Sequence, residues 1–91
     1  LEQIKNQQNL IGGQLRRLRV ERGLSQEGLS AQFQLAGWDL SRASLSKIEA
    51  GLRRVNDAEL WMMAKVMNIT VAELFPKRPA DLGKVLRHGR G

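Results

Sequence analysis

The stretch DLSRASLSKIEAG, Asp39 to Gly51, carries side chains suited to hydrogen bonding with phosphates and the edges of nucleic-acid bases. An arginine such as Arg42 can donate to both O6 and N7 of guanine, and serine hydroxyls bond several base edges or a phosphate. Helical projection at about 100° per residue puts Leu45 and Ile48 on one face, with Leu52 continuing it. Ala43, Lys47 and Ala50 point the opposite way with Ser46 beside them. Arg42 sits near the N-terminus, where its long side chain reaches either flank. Two apolar anchors under a small, polar and cationic surface suit an element that enters the DNA major groove, about 12 Å wide. An ordinary amphipathic surface helix would carry the same pattern.

Other chemistries find few residues to use. There are no cysteines, so neither a disulfide framework nor a thiolate metal site is possible. The sole histidine, His88, lies in the terminal tail, far from the serines and from any carboxylate cluster, which argues against a nucleophilic triad and a metal centre. Gly12-Gly13 lacks the Lys-Ser/Thr sequel of a phosphate loop and is expected to start a helix. The expectation is a non-enzymatic chain with no cofactor, no metal and no evident small-molecule ligand. Lys and Arg total 15 against 9 Asp and Glu, a net charge of +6 that favours a polyanionic partner. Nucleic acid is the first candidate and an anionic membrane surface the second. No apolar run approaches a membrane span and nothing at the start resembles a signal peptide, so a cytoplasmic location is expected.

The elements that must position this stretch follow from helix-period patterning, with no sustained alternation of period two. Ile11, Leu15 and Leu18 line a first helix that should stop at Gly23. Ser25 caps a second, with Leu29 and Phe33 on one face and Gly28 as a poor helix former within it. Ser41 caps the third, the opening stretch, and Gly51 ends it. Asn56 with Glu59, and Thr70 with Glu73, have capping-box spacing. They mark a fourth helix over Asp57–Met67 and a short fifth over Val71–Phe75, with Asn68 suited to a left-handed stop between them. Leu60, Met63, Ala64 and Met67 give the fourth helix its inward face. The reading is an all-α chain, a compact bundle of about five short helices. Residues 1–10 form an N-terminal extension, 11–76 the domain, and 77–91 a basic tail in which Leu82, Val85 and Leu86 permit a further turn or two.

Taken in order, GLSQEGLS, LSRASLSKIEAGLRR and NITVAELF resemble the Cro and lambda-repressor type of helix-turn-helix DNA-binding protein, over Ile11 to Phe75. The apolar framework matches at Leu29, Phe33, Leu40, Leu45 and Ile48. The resemblance implies base contacts from Arg42, Ala43, Ser46 and Lys47. It implies phosphate contacts from Gln26, Ser41, Ser44, Arg53 and Arg54, with Gln26 also bracing the recognition helix. It nominates Arg19 as the partner of Glu49, which lies on the inward side of that helix, as a structural pair. The function implied is a sequence-specific transcriptional regulator, a repressor that occupies double-stranded DNA as a homodimer and blocks competitors sterically. The rival of another class is a protein-interaction module of the same fold, a coactivator or antitoxin without sequence-specific DNA binding of its own. A basic membrane-surface protein is disfavoured by short, capped helices.

One departure from the family pattern matters. QLAGWDL lies between Phe33 and Ser41, where the usual link is a tight turn of about 3–4 residues. A second helix extended through Ala36, a turn at Gly37 and Trp38 packed on the motif would absorb the insertion; Trp38 presented to a sugar-phosphate backbone is the alternative. Trp61 and Met62 also leave two readings open. Either Trp61 widens the core beside a partly exposed Met62, or the two form a subunit contact. The tail around Leu82, Val85 and Leu86 is the other candidate for that contact, and a tail folded back on its own domain would cover those residues equally well.

Overall fold

Ser25, Ser41, Asn56 and Thr70 each start a helical segment in the computed structural model, which describes residues 7–79 and 82–89. The first six residues of the expected extension, and residues 80–81 and 90–91 of the tail, lie outside the described residues. The order is α1 (Gly12–Glu21), α2 (Gln26–Leu35), α3 (Arg42–Glu49), α4 (Asp57–Met67), a 3-10 turn (Val71–Leu74) and α5 (Leu82–Gly89). Among the described residues there is no strand.

Local chemistry accounts for the boundaries. The Ser25 hydroxyl accepts from the Gly28 amide at 2.9 Å and that of Ser41 from the Ser44 amide at 3.1 Å, each satisfying a donor the helix leaves orphaned. At α4 the box is reciprocal: the Glu59 amide donates to Asn56 at 2.8 Å and the Asn56 amide to Glu59 at 3.1 Å. Asn68 ends α4 in the left-handed region, φ 57° and ψ 49°.

The core lies where α1, α2, α3 and α4 converge. Leu15, Leu29, Phe33, Leu45, Ile48, Met63, Met67 and Leu74 are fully buried, with Ile11 and Leu40 closing its ends. Truncating any one of the large aliphatic members should cost about 2–5 kcal/mol, through lost transfer energy and the cavity left behind.

Three expectations need correction. Leu52 does not continue the inward face of α3: it is 40% exposed, because Gly51 turns to φ 78° and the helical period ends there. The short fifth element stops at Leu74 as a 3-10 turn rather than running to Phe75, which is extended at φ −96°, ψ 141°. Pro76 explains this, since the residue before a proline is pushed out of the helical region. Trp61 does not widen the core; it is 58% exposed, with the Lys65 ammonium 5.1 Å from its ring centre. Met62 is the half-buried neighbour that packs against the core.

The lengthened link is built as a folded unit. Ala36 ends α2, Gly37 adopts φ 103°, a value that side-chain-bearing residues rarely take, and the chain reverses. The Trp38 amide donates to the Phe33 carbonyl at 2.9 Å, and its ring meets that of Phe33 at a centroid separation of 4.9 Å and 51°. Trp38 is therefore half-buried against the motif. The Leu40 carbonyl accepts from the Ser30 hydroxyl at 2.8 Å and the Gln34 amide at 3.0 Å, which ties the far end of the link back to α2.

Candidate nucleic-acid interface

Helix α3 is held by its inner side and leaves its outer side uncovered. Leu45 and Ile48 sink into the core, while Arg42, Ala43 and Lys47 are exposed, and Ser44 and Ser46 are half-buried at the margins. The capping hydroxyl of Ser41 also donates to Ser44 Oγ at 3.2 Å, so these two serines order the N-terminus of α3. Helix N-termini carry unsatisfied N–H groups and a positive dipole end, which favour anions.

The inward end of α3 is fixed by charge. Glu49 is 7% exposed and meets the guanidinium of Arg19 in a forked pair, Nε to Oε2 at 2.7 Å and Nη2 to Oε1 at 3.0 Å. The hydrogen bonds to Glu49 raise the Arg19 pKa further above its ordinary value against the opposing effect of burial. Arg19 also donates to the Leu24 carbonyl at 2.8 Å, anchoring the α1–α2 link. The Gln26 side-chain amide donates to Glu49 Oε1 at 3.0 Å. One carboxylate thus gathers the last turn of α1, the first turn of α2 and the last turn of α3.

The arginines after α3 diverge. Arg53 is half-buried and forks onto Glu59, with Nη1 to Oε1 at 3.2 Å and Nη2 to Oε2 at 3.0 Å. Burial alone would raise the Glu59 carboxyl, but the bonds from Arg53 and from the Asn56 amide outweigh it and hold its pKa below the ordinary value. Arg54 is exposed. The structure therefore joins Gln26 to α3 through Glu49 and places Ser41 and Ser44 at the N-terminus of α3, while Arg54 follows it in the chain and Arg53 is spent largely on α4.

Sequence reasoning missed Asn9, Ser30 and Gln34. Asn9, placed in the extension, is 5% exposed and uses its whole side-chain amide. Its Oδ1 accepts from the Ile11 amide at 3.1 Å and the Gly12 amide at 2.8 Å, while Nδ2 donates to the carbonyls of Ile48 at 3.1 Å and Arg53 at 2.8 Å. Asn9 stands two residues ahead of the N-cap position Ile11, so neither its bonds to the Ile11 and Gly12 amides nor those some forty residues away in the chain had a spacing signal. Ser30 and Gln34, one helical turn apart on α2, had only their spacing to show for their grip on Leu40.

The fold is a small helical domain whose third helix is braced from within and polar without, the arrangement a helix-turn-helix needs. Residues 15–74 match the family described as Helix-turn-helix. The chain belongs to that family, of the Cro and lambda-repressor type, whose members are DNA-binding regulators. No curated protein and no solved structure matches the chain. No described helix is long and apolar enough to cross a membrane.

Proposed function

We propose that this protein is a sequence-specific transcriptional regulator, a repressor that reads the major groove of duplex DNA with α3. The observation that carries the reading is the division of α3 between an inner side locked by Leu45, Ile48 and Glu49 and an exposed outer side bearing Arg42, Ala43 and Lys47. A rigidly held helix can discriminate bases, because its side chains meet their partners without reordering the backbone. In this reading Arg42, Ala43, Ser46 and Lys47 face base edges. Gln26, Ser41, Ser44 and Arg54 approach phosphates, and Arg53 reaches one only with the donors that Glu59 leaves unused. Repression is steric, by occupation of an operator in the cytoplasm.

The working form on DNA is a homodimer. Half-sites of two-fold operators lie about 34–36 Å apart. The body measures 33 × 24 × 24 Å, comparable with that spacing, so two copies bound one helical turn apart are near neighbours. In α5, Leu82 and Leu86 are exposed while Val85 lines a hollow with Leu10, Val55, Leu60 and Phe75. Val85 thus folds back on its own domain, and the exposed Leu82 and Leu86 are what support α5 as the contact.

The second reading, a module that binds protein, is favoured by the exposed Trp61 and by Leu35, which is 89% exposed at the end of α2. Selection of bound sequences from a random duplex pool, repeated at rising salt, separates the two. The regulator enriches one motif and its affinity falls linearly on log–log axes, by about 0.9 per phosphate neutralised. A protein-binding module enriches none.

A further inference from the structure

We propose that Asn9 is a positioning residue for DNA recognition, setting the pose of α3 and of the arginine loop behind it. The proposal rests on the reading of α3 as the base-reading helix. Asn9 joins three pieces of chain through one buried amide: the start of α1, the last turn of α3 at Ile48, and the loop at Arg53. All four of its hydrogen-bonding positions are used, two accepting and two donating. An ionised aspartate has no donor for the two carbonyls, and serine has a single donor on a shorter side chain, so it cannot serve both.

The surroundings make this junction tight. The Gln8 amide donates to the Gly51 carbonyl at 2.7 Å, so the chain before α1 runs alongside the exit from α3. A Cβ on Gly12 would collide with the Ile48 carbonyl, so the first turn of α1 abuts the end of α3 backbone to backbone. The apolar anchors Leu45 and Ile48 resist withdrawal of α3 from the core, but dispersion contacts are non-directional and tolerate small rotations. Directional bonds to the Ile48 and Arg53 carbonyls do not. Arg42 and Lys47 extend from the same rigid helix, so a small rotation at its C-terminal end displaces their tips against base edges. Bidentate recognition is the interaction least able to absorb that displacement.

The test uses the full chain and the variants Asn9→Asp and Asn9→Ser. Both keep an oxygen that can accept from the Ile11 and Gly12 amides, and neither can donate to the carbonyls of Ile48 and Arg53 together. Amide hydrogen exchange is read without DNA at Ala50, Gly51 and Leu52, whose amides are bonded to carbonyls of α3, and at the amides of α4 for reference. Affinity is then read for the duplex that wild type selects and for a random duplex, at a temperature where each variant is folded. Exchange at residues 50–52 should accelerate about tenfold while α4 is unchanged, as expected when buried hydrogen-bond partners are left unsatisfied. Affinity for the selected duplex should fall about tenfold with random-duplex affinity held within about twofold, so that specificity is lost and the electrostatic contribution is not. A uniform rise in exchange, or an unchanged affinity ratio among folded molecules, would overturn the proposal and leave Asn9 an ordinary capping residue. If wild type enriches no duplex, base reading by α3 fails on its own account. The exchange comparison then still decides whether Asn9 holds the end of α3. Should one variant not fold, the other carries the same measurements.

Discussion

Arg19 and Glu49 stand thirty residues apart in sequence and meet in a forked ion pair, Nε to Oε2 at 2.7 Å, with side chains only 10% and 2% exposed. Their pairing ties the recognition helix to α1 and, through Gln26, to α2. Removing one partner strands a buried charge, at a cost of about 3–5 kcal/mol. Arg19→Met and Glu49→Leu should therefore each destabilise more than the double substitution does. Chemical denaturation of the four proteins in a double-mutant cycle measures the coupling, and additive losses would show that the pair is not a unit.

Arg53 and Arg54 should respond differently although they are neighbours. Arg54→Ala should leave stability within about 0.5 kcal/mol and lower the salt slope of DNA binding by about 0.9. Arg53→Ala should lower the melting temperature as well, because Glu59 loses both of its guanidinium bonds. Paired melting curves and salt titrations would show it, and equal melting temperatures for the two variants would contradict the division.

Glu59 gives the fold an acid-sensitive element. Its folded pKa is below the ordinary value, so it contributes stability above that value and loses the contribution as pH falls through the folded one. The melting-temperature advantage of wild type over Glu59→Gln should be full at neutrality. It should shrink below the usual glutamate value of about 4.3 and vanish at lower pH. An advantage constant with pH would mean that the charge of Glu59 is irrelevant.

Much of the scaffold could be read from the chain because its signals are local. Ser25, Ser41 and the Asn56–Glu59 box act within one helical turn, so their spacing alone locates α2, α3 and α4. Leu52 misleads for the opposite reason: its place in the helical period means nothing beyond Gly51, where a positive φ ends the helix. Trp61 shows that a large ring need not be buried when its helix already supplies Met63, Ala64 and Met67 to the core. On the proposed interface, the exposed side of α3 follows from which residues are apolar, since Leu45 and Ile48 decide which way the helix faces. Asn9 does not follow, because its partners at Ile48 and Arg53 are backbone carbonyls, and every residue has one.

The ring of Trp38 is expected to stabilise the lengthened link by closing over Phe33. Trp38→Ala should cost the ring pair, about 0.5–1.5 kcal/mol, together with the apolar area uncovered, while Trp38→Phe should recover part of it. Denaturation followed by circular dichroism would register both. Wild-type stability in Trp38→Ala, with reduced DNA affinity, would instead place the ring against the sugar-phosphate backbone.

The claim that α3 reads bases through Arg42 and Lys47 is tested most directly by comparing motifs. Wild type, Arg42→Ala and Lys47→Ala would each be used to select from the same random duplex pool. The account predicts one enriched motif for wild type and the same motif relaxed at a position or two in each variant, with a loss of about 1–3 kcal/mol on the original site. Identical motifs from all three proteins would contradict it.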